Sequence, residues 1–369
     1  MRYHPPELPR PLSPSTMQAS PFSSTSRFHS TFSEGLHLLA RESDLGAFIL
    51  AAANASTEAA LFKAMLPSLH DQFHGLHTQL REQLTQGRRP QVPQDDLMVF
   101  LQLALMGLSA LRITEERHAG IWTVQFNPLR ALRPSRAATR KDIRLAMPFD
   151  TAGFHFDRDF LRREVFWEGT LHDLPIRLLY NKFPFARMHG ILVPEPTRHL
   201  PQYLTERHHC YAFSVVNDLA DLLPGLSLAY NSLGAYASVN HLHFQLFVDP
   251  TELPAQAPQW QHNGGSTPYP AQCLRFDNAQ TGWHCIESLH KQGQPYNLLY
   301  SNRSVLVFPR PEKANQPPPS WSPGFAWFEM CGAVVTANRE TFEQLGEDEI
   351  SGVLAACSSF APVAGHHEA

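Results

Sequence analysis

The octapeptide NHLHFQLF, residues 240–247, sets His241, His243 and Gln245 at alternate positions, with Leu242, Phe244 and Leu246 between and after them. Side chains on a β-strand alternate between faces. The spacing therefore predicts two imidazoles and a carboxamide on one face and three apolar side chains on the other. The apolar face suits a core, whereas the polar row is costly to bury unpartnered and is expected to line a cleft. Three chemistries are compatible with it. The histidines can be ordinary half-exposed strand residues in a chain that carries 20 of them. They can bind a metal, although such a site wants a carboxylate a few residues on, and the next acid, Asp249, falls out of alternation and precedes a proline. Or one histidine attacks phosphorus while its neighbours hold the phosphate: imidazole is largely neutral at pH 7 and needs no separate base.

The elements that must position this row follow from texture. Residues 36–115 read as helices, with apolar residues at spacings of three and four in EAALFKAMLPSLHDQFHGLHTQLREQL and a loop at QGRRPQVPQDD. From about residue 120 the chain turns to short β-rich runs: GIWTVQFN, PIRLLYN, HGILVPEP, LSLAYN, NHLHFQLF, YNLLYSN and VLVFPRP. QYLTERHHCYAFSVVNDLADLLPG and GEDEISGVLAACSSF read as helices. The layout is α+β. PIRLLYNKFPFARMHGILVPEP (175–196) echoes PYNLLYSNRSVLVFPRP (295–311), either as two unrelated hairpins or as an ancient duplication with one active and one degenerate half.

Composition narrows the class. A formal net charge of -4 over 369 residues carries no basic excess for nucleic acid or anionic membrane. Cys210, Cys273, Cys285, Cys331 and Cys357 are odd in number and scattered without a CxxC pair, which suggests neither a disulfide frame nor a thiolate zinc site and fits a reducing cytoplasm. Residues 1–35, rich in Ser, Pro and Thr, lack the apolar core of a secretory signal and are expected to form a disordered tail, with an organelle transit peptide as the alternative. The most apolar run, Leu97 to Ile113, falls short of the ~20 residues of a spanning helix and contains Gln102, Gly107 and Ser109, so a buried core helix is expected and no membrane span.

HLHFQ resembles the active-site motif of the histidine-triad superfamily in its His-x-His-x-Gln transferase branch. With the lead-in LAYNSLGAYASVN the stretch is similar to the GDP-hexose phosphorylases, the GDP-L-galactose and GDP-D-glucose enzymes. VQFNPLRALRPSR, NKFPFARMHGILVPEP, PYNLLYS and FEMCGAVVTANRETFEQL extend the resemblance over roughly 118–355, and the helical block before 115 lies outside it. The resemblance implies a histidine-triad-like antiparallel sheet with packed helices, duplicated with one degenerate half, plus an N-terminal helical extension. The expected division is a tail at 1–35, a helical extension at 36–115, a catalytic half at 116–255, a degenerate half at 256–358 and a tail at 359–369.

The implied reaction is phosphorolysis of a GDP-hexose through a guanylyl-histidine. His243 would be the nucleophile, His241 would orient the site or contact phosphate, and Gln245 would hold the transferred phosphate. An amide cannot titrate, so the intermediate would wait for phosphate rather than water. Asn181, Lys182, Ser238, Asn240, Gln125, Asn127, Arg130 and Arg133 are the candidate substrate and phosphate contacts, Arg187 is a further cation, and Gly234 permits a tight turn before the motif. The partners would be a nucleotide sugar and inorganic phosphate, without nucleic acid or membrane. No metal is expected at the motif, and magnesium would enter only on the nucleotide. A homodimer is compatible with all of this. A dinucleoside polyphosphate phosphorylase and a non-catalytic nucleotide sensor stay open as alternatives.

Overall fold

The computed structural model describes residues 20–132, 144–301, 303–311, 319–322, 324–336 and 338–357. Four helices come first: α1 (Thr25–Leu39), α2 (Leu45–Ala55), α3 (Ala59–Thr85) and α4 (Gln94–Met106). Strands β1 (Glu115–Ala119) and β2 (Trp122–Phe126) and the short α5 (Pro128–Ala131) follow. Then come β3 (Val165–Leu171), β4 (Leu174–Tyr180), β5 (Gly190–Pro194), α6 (Glu206–Leu219), β6 (Leu226–Asn231) and β7 (Phe244–Val248). The chain closes with β8 (Leu274–Phe276), α7 (Ala279–Gln292), β9 (Tyr296–Ser301), β10 (Ser304–Pro309), α8 (Trp327–Met330), β11 (Ala333–Thr336), α9 (Arg339–Gln344) and α10 (Glu347–Ala356).

The class is α+β, as expected. Eight strands form one antiparallel sheet in the order β3-β4-β5-β7-β6-β9-β10-β8, and β11 pairs in parallel with β2 in a three-stranded sheet, β1-β2-β11. Both halves of the chain thus share one large sheet. The echo between 175–196 and 295–311 takes the form of two hairpins, β4–β5 and β9–β10. A wider correspondence runs through the helices: α6 leads into β6 and β7, α7 into β9 and β10, and β6 and β9 pair at the centre with Asn231 opposite Asn297.

Helices α1–α4, α6 and α7 cover one face of the large sheet, where Phe166, Leu178, Leu192, Phe244 and Leu246 enter the main core. The other face carries Leu179, Ile191 and Val193 near one end, and Ala229, Phe247, Leu299 and Leu306 against Trp327 and the small sheet.

Two expectations change here. The tail expected at 1–35 gives way to α1 at Thr25: Ser24 caps it by accepting from the Arg27 amide at 3.2 Å, and Phe28, Phe32 and Leu36 repeat at a spacing of four and are buried. Serine and threonine dominate the surface of this helix and hide its apolar stripe. The run 97–113 is not one buried helix. α4 stops at Gly107 (φ +84°), and while Val99, Phe100 and Leu103 are buried, Met98, Leu105 and Met106 are exposed. The helix buried on every side is α2, LGAFILAAANA, begun by Asp44, whose carboxylate accepts from the Ala47 amide at 2.9 Å. No helix among the described residues is long and apolar enough to cross a membrane.

Phe32 packs edge-on against Phe166 (5.3 Å between centroids) and Tyr180 (4.9 Å), joining α1 to β3 and β4. Phe32→Ala is expected to cost about 3–5 kcal/mol through the cavity it leaves, whereas Leu38→Ala, on the exposed side of α1, is expected to stay within about 0.5 kcal/mol. Urea denaturation of the two variants checks this; equal midpoints would contradict the placement of α1.

Candidate active site

The strand expected over the whole octapeptide starts only at Phe244. Residues 240–243 instead run beside residues 200–202: the Leu242 amide donates to the Leu200 carbonyl at 2.8 Å, and the His243 amide donates to Gln202 Oε1 at 2.9 Å. Gln202 is fully buried and donates through Nε2 to the carbonyls of Asn231 (2.9 Å) and His243 (3.3 Å). Its side chain stands in for a missing strand neighbour. His243 and Gln245 line the cleft together, whereas His241 is not among the residues that line it.

Hydrogen bonds fix the tautomers of His243 and His241. His243 Nδ1 lies 2.7 Å from the His241 carbonyl, which can only accept. Nδ1 carries the proton, and Nε2 keeps its lone pair at the cleft, which His243 lines. Burial lowers the His243 pKa to about 4, only partly offset by that carbonyl. The ring is thus neutral at pH 7 with an unprotonated Nε2, the form a nucleophile requires.

Gln245 is oriented with similar definition. The Trp327 indole, an obligate donor, reaches Gln245 Oε1 at 3.0 Å, so this atom is the amide oxygen. His189 Nε2 donates to the same oxygen at 3.0 Å, while His189 Nδ1 accepts from the Phe185 amide at 3.3 Å. With its oxygen anchored twice, Gln245 offers its NH2 group to the cleft. His189 is fully buried, and desolvation lowers its pKa to about 3. Sequence reasoning passed over it; its place in RMHGILV, one residue before a buried strand, was the available signal.

His241 Nδ1 accepts from the Phe156 amide at 3.1 Å, so Nε2 bears the proton, buried and without a partner among the described residues. Desolvation lowers its pKa to about 3, assisted by His243, His155 and His199. The ring sits among Phe149, His155 and His199 rather than on the cleft wall. What His241 contributes to the site is its backbone carbonyl, which holds His243 Nδ1.

The cleft holds about 430 Å³. Of the expected contacts, Asn181, Lys182 and Ser238 line it with His243 and Gln245. Asn181 Oδ1 closes a turn on the Phe183 amide (3.0 Å), and its backbone carbonyl accepts from the buried Asn54 of α2 at 2.8 Å. Lys182 Nζ pairs with Asp96 of α4 at 2.6 Å. The helical block thus supplies one wall.

Other expected contacts hold structure instead. Asn240 accepts from the Gln202 amide and donates to the Pro148 carbonyl, latching the motif loop. Gln125 donates to Glu116 on the small sheet. Asn127 caps α5 and donates to Ser56 and Thr114. Arg130 stacks 4.3 Å above Phe185 and donates to the Phe183 carbonyl, bracing the aromatic wall. Arg187 pairs with Glu58 at 3.5 Å, and Arg133 lies outside the described residues. Gly234 has φ +83°, and a Cβ there would meet Pro295 Cγ at 2.7 Å, so the turn does require glycine.

Family models described as GDPGP1-like, N-terminal domain, and GDPGP1-like, C-terminal domain, match residues 121–247 and 267–360. The chain is 34% identical over 184 residues to GDP-D-glucose phosphorylase 1 of Macaca fascicularis, covering 46% of this chain and 47% of that one. It is 26% identical over 209 residues to GDP-L-galactose phosphorylase 1 of Arabidopsis thaliana, covering 50% and 47%. The chain spans about half the length of the curated relatives it matches. Among solved structures, yeast Ap4A phosphorylase Apa2 aligns with a TM-score of 0.47 and 19% identity over 68% of this chain and 88% of that one.

Three imidazoles, His189, His241 and His243, are held neutral with pKa values of about 3 to 4. Each titrates near 6.5 when unfolded. Below 6.5 the unfolded chain binds more protons than the folded one, so stability is full above about pH 6.5 and falls as pH drops towards 4. Urea midpoints at pH 5.0 and 7.5 check the sign; a midpoint unchanged or higher at pH 5.0 would contradict it.

Proposed function

The chain belongs to the GDPGP1-like family, and from that premise we propose that it is a nucleotidyltransferase catalysing phosphorolysis of a GDP-hexose through a covalent guanylyl-His243. The observation that carries this reading is the His243 tautomer: Nδ1–H tied to the His241 carbonyl and a bare Nε2 at the cleft. His243 Nε2 attacks the α-phosphorus; the N–P bond forms, the bond from that phosphorus to the bridging oxygen breaks, and hexose 1-phosphate leaves. Inorganic phosphate then attacks the same phosphorus, the N–P bond breaks, and GDP is released. The attacking ring becomes cationic, which the bond from Nδ1–H to the carbonyl favours. The Gln245 NH2 donates to the transferred phosphoryl oxygens. Since neither this amide nor a neutral His189 with a pKa near 3 can take a proton from water at pH 7, the intermediate is spared hydrolysis.

Lys182, Ser238 and Asn181 line the cleft where the substrate phosphates would lie. Magnesium enters only as a counter-ion on the nucleotide. The five free cysteines suit a reducing cytoplasm.

The test is transfer of label from a nucleotide sugar labelled at the α-phosphate, with a phosphate-dependent screen of GDP-glucose, GDP-mannose, GDP-L-galactose, UDP-glucose and diadenosine tetraphosphate. Labelled protein is expected with a GDP-hexose and is discharged by phosphate. His243→Ala is expected to lose the label and about four orders of magnitude or more in turnover. Retention of more than a few per cent of turnover would refute the covalent assignment, binding without labelling would favour a nucleotide sensor, and turnover of diadenosine tetraphosphate alone would favour the dinucleoside polyphosphate reaction.

A further inference from the structure

Strand register places Val165, Leu179, Ile191 and Gln245 side by side across four neighbouring strands, β3, β4, β5 and β7. Leu179 and Ile191 form an apolar floor with Phe156, Leu161 and Val239. Three strand spacings of about 4.8 Å put the two ends of this floor roughly 14 Å apart. His243 and Gln245 stand at one end. Glu164, the residue before Val165, stands at the other and lines the same cleft, as do Phe154, Phe160 and Phe183. An extended nucleoside monophosphate fills such a span once the two side chains reach inwards. Its flat base suits the apolar floor better than a polyhydroxylated sugar does.

The Glu164 carboxyl makes no hydrogen bond among the described residues. Every other charged group close to it is engaged elsewhere or shares its sign. Lys182 is paired with Asp96 at 2.6 Å, Arg163 with Asp44 at 2.9 Å, and Asp95 also lines the cleft. Burial dominates over Lys182 and Arg163 and pushes the Glu164 pKa up to about 7. A carboxylate presents two acceptors and no donor. Guanine presents two adjacent donors, N1–H and the N2 amino group, whereas hypoxanthine lacks the amino group and adenine puts an acceptor at N1.

We propose that Glu164 reads the base: its carboxylate accepts from N1–H and N2–H of guanine and sets the preference for guanine nucleotides. This deepens the nucleotidyl-transfer reading and rests on it. Selectivity follows because an acceptor that the bound base covers but leaves unpaired penalises that base.

The experiment uses the full chain, titrated calorimetrically with GMP, IMP and AMP at pH 8, with the kcat/KM of GDP-glucose and IDP-glucose in parallel. Wild type is expected to prefer GMP over IMP by about tenfold or more, the worth of one hydrogen bond to a charged group. Glu164→Gln, which turns an NH2 group towards guanine's donors, is expected to bring the two within about twofold, and Glu164→Asp to keep part of the preference. The KM of wild type for GDP-glucose is expected to rise as pH falls below 7, with Glu164→Gln flat. An unchanged GMP-to-IMP ratio in folded Glu164→Gln, or a change in hexose preference with the base preference intact, overturns the assignment. If wild type binds GMP and labels His243 while the ratio stays fixed, only the Glu164 assignment falls; if wild type binds no guanine nucleotide, both readings fall.

Discussion

The site depends on a short hydrogen bond, 2.7 Å, from His243 Nδ1 to the His241 carbonyl. A neutral imidazole carries its proton on one nitrogen or the other, and only one tautomer leaves Nε2 free to attack. The carbonyl decides between them because it can only accept. Residues 240–243, which place it there, depart from the strand, which begins at Phe244. Gln202 maintains that departure through the His243 amide and carbonyl, and Asn240 closes it by gripping the Gln202 amide and Pro148. Burying His243 lowers its pKa and keeps the ring neutral, so position and protonation state arise from the same packing.

The N-terminal helices belong to this arrangement. Asn54 of α2 holds the Asn181 carbonyl, Asp96 of α4 holds Lys182, and Asp44 at the start of α2 holds Arg163. Partly buried ion pairs of this sort add little net stability, because desolvation offsets their attraction. Their consequence is positional: Lys182 stands at the cleft with its direction set. The helices themselves are secured by apolar contacts such as Phe32 against Phe166 and Tyr180.

Much of the fold was legible in the sequence. The runs that form β2, β4, β5, β6, β7, β9 and β10 and the helices α6 and α10 lie where alternation and helical spacing put them, because those patterns report burial directly, whereas β3 was passed over. Short β1, β8 and β11 and the helix α7 left weaker traces: three to five residues show no clear period, and α7 carries polar residues on most of its surface. Within the site, the identities in the motif were readable and their geometry was not. Alternation predicted a strand over the whole motif, yet a buried glutamine 41 positions earlier takes the place of a strand partner at His243. Asn240 and Asn127 resembled ligand contacts because carboxamides serve loops and ligands equally well. Gln202 and Glu164 lay outside any motif, and His189 sat unremarked within NKFPFARMHGILVPEP; their significance comes from what the folded chain brings beside them.

The most direct test of the account is the protonation state of His243, read from the ring nitrogens by long-range 1H–15N NMR on the free protein between pH 5 and 8, assigned by comparison with His243→Gln. A neutral ring is expected throughout, with the proton on Nδ1, an unprotonated Nε2, and no titration above about pH 5. A proton resident on Nε2, or a titration midpoint near 6.5, would contradict it.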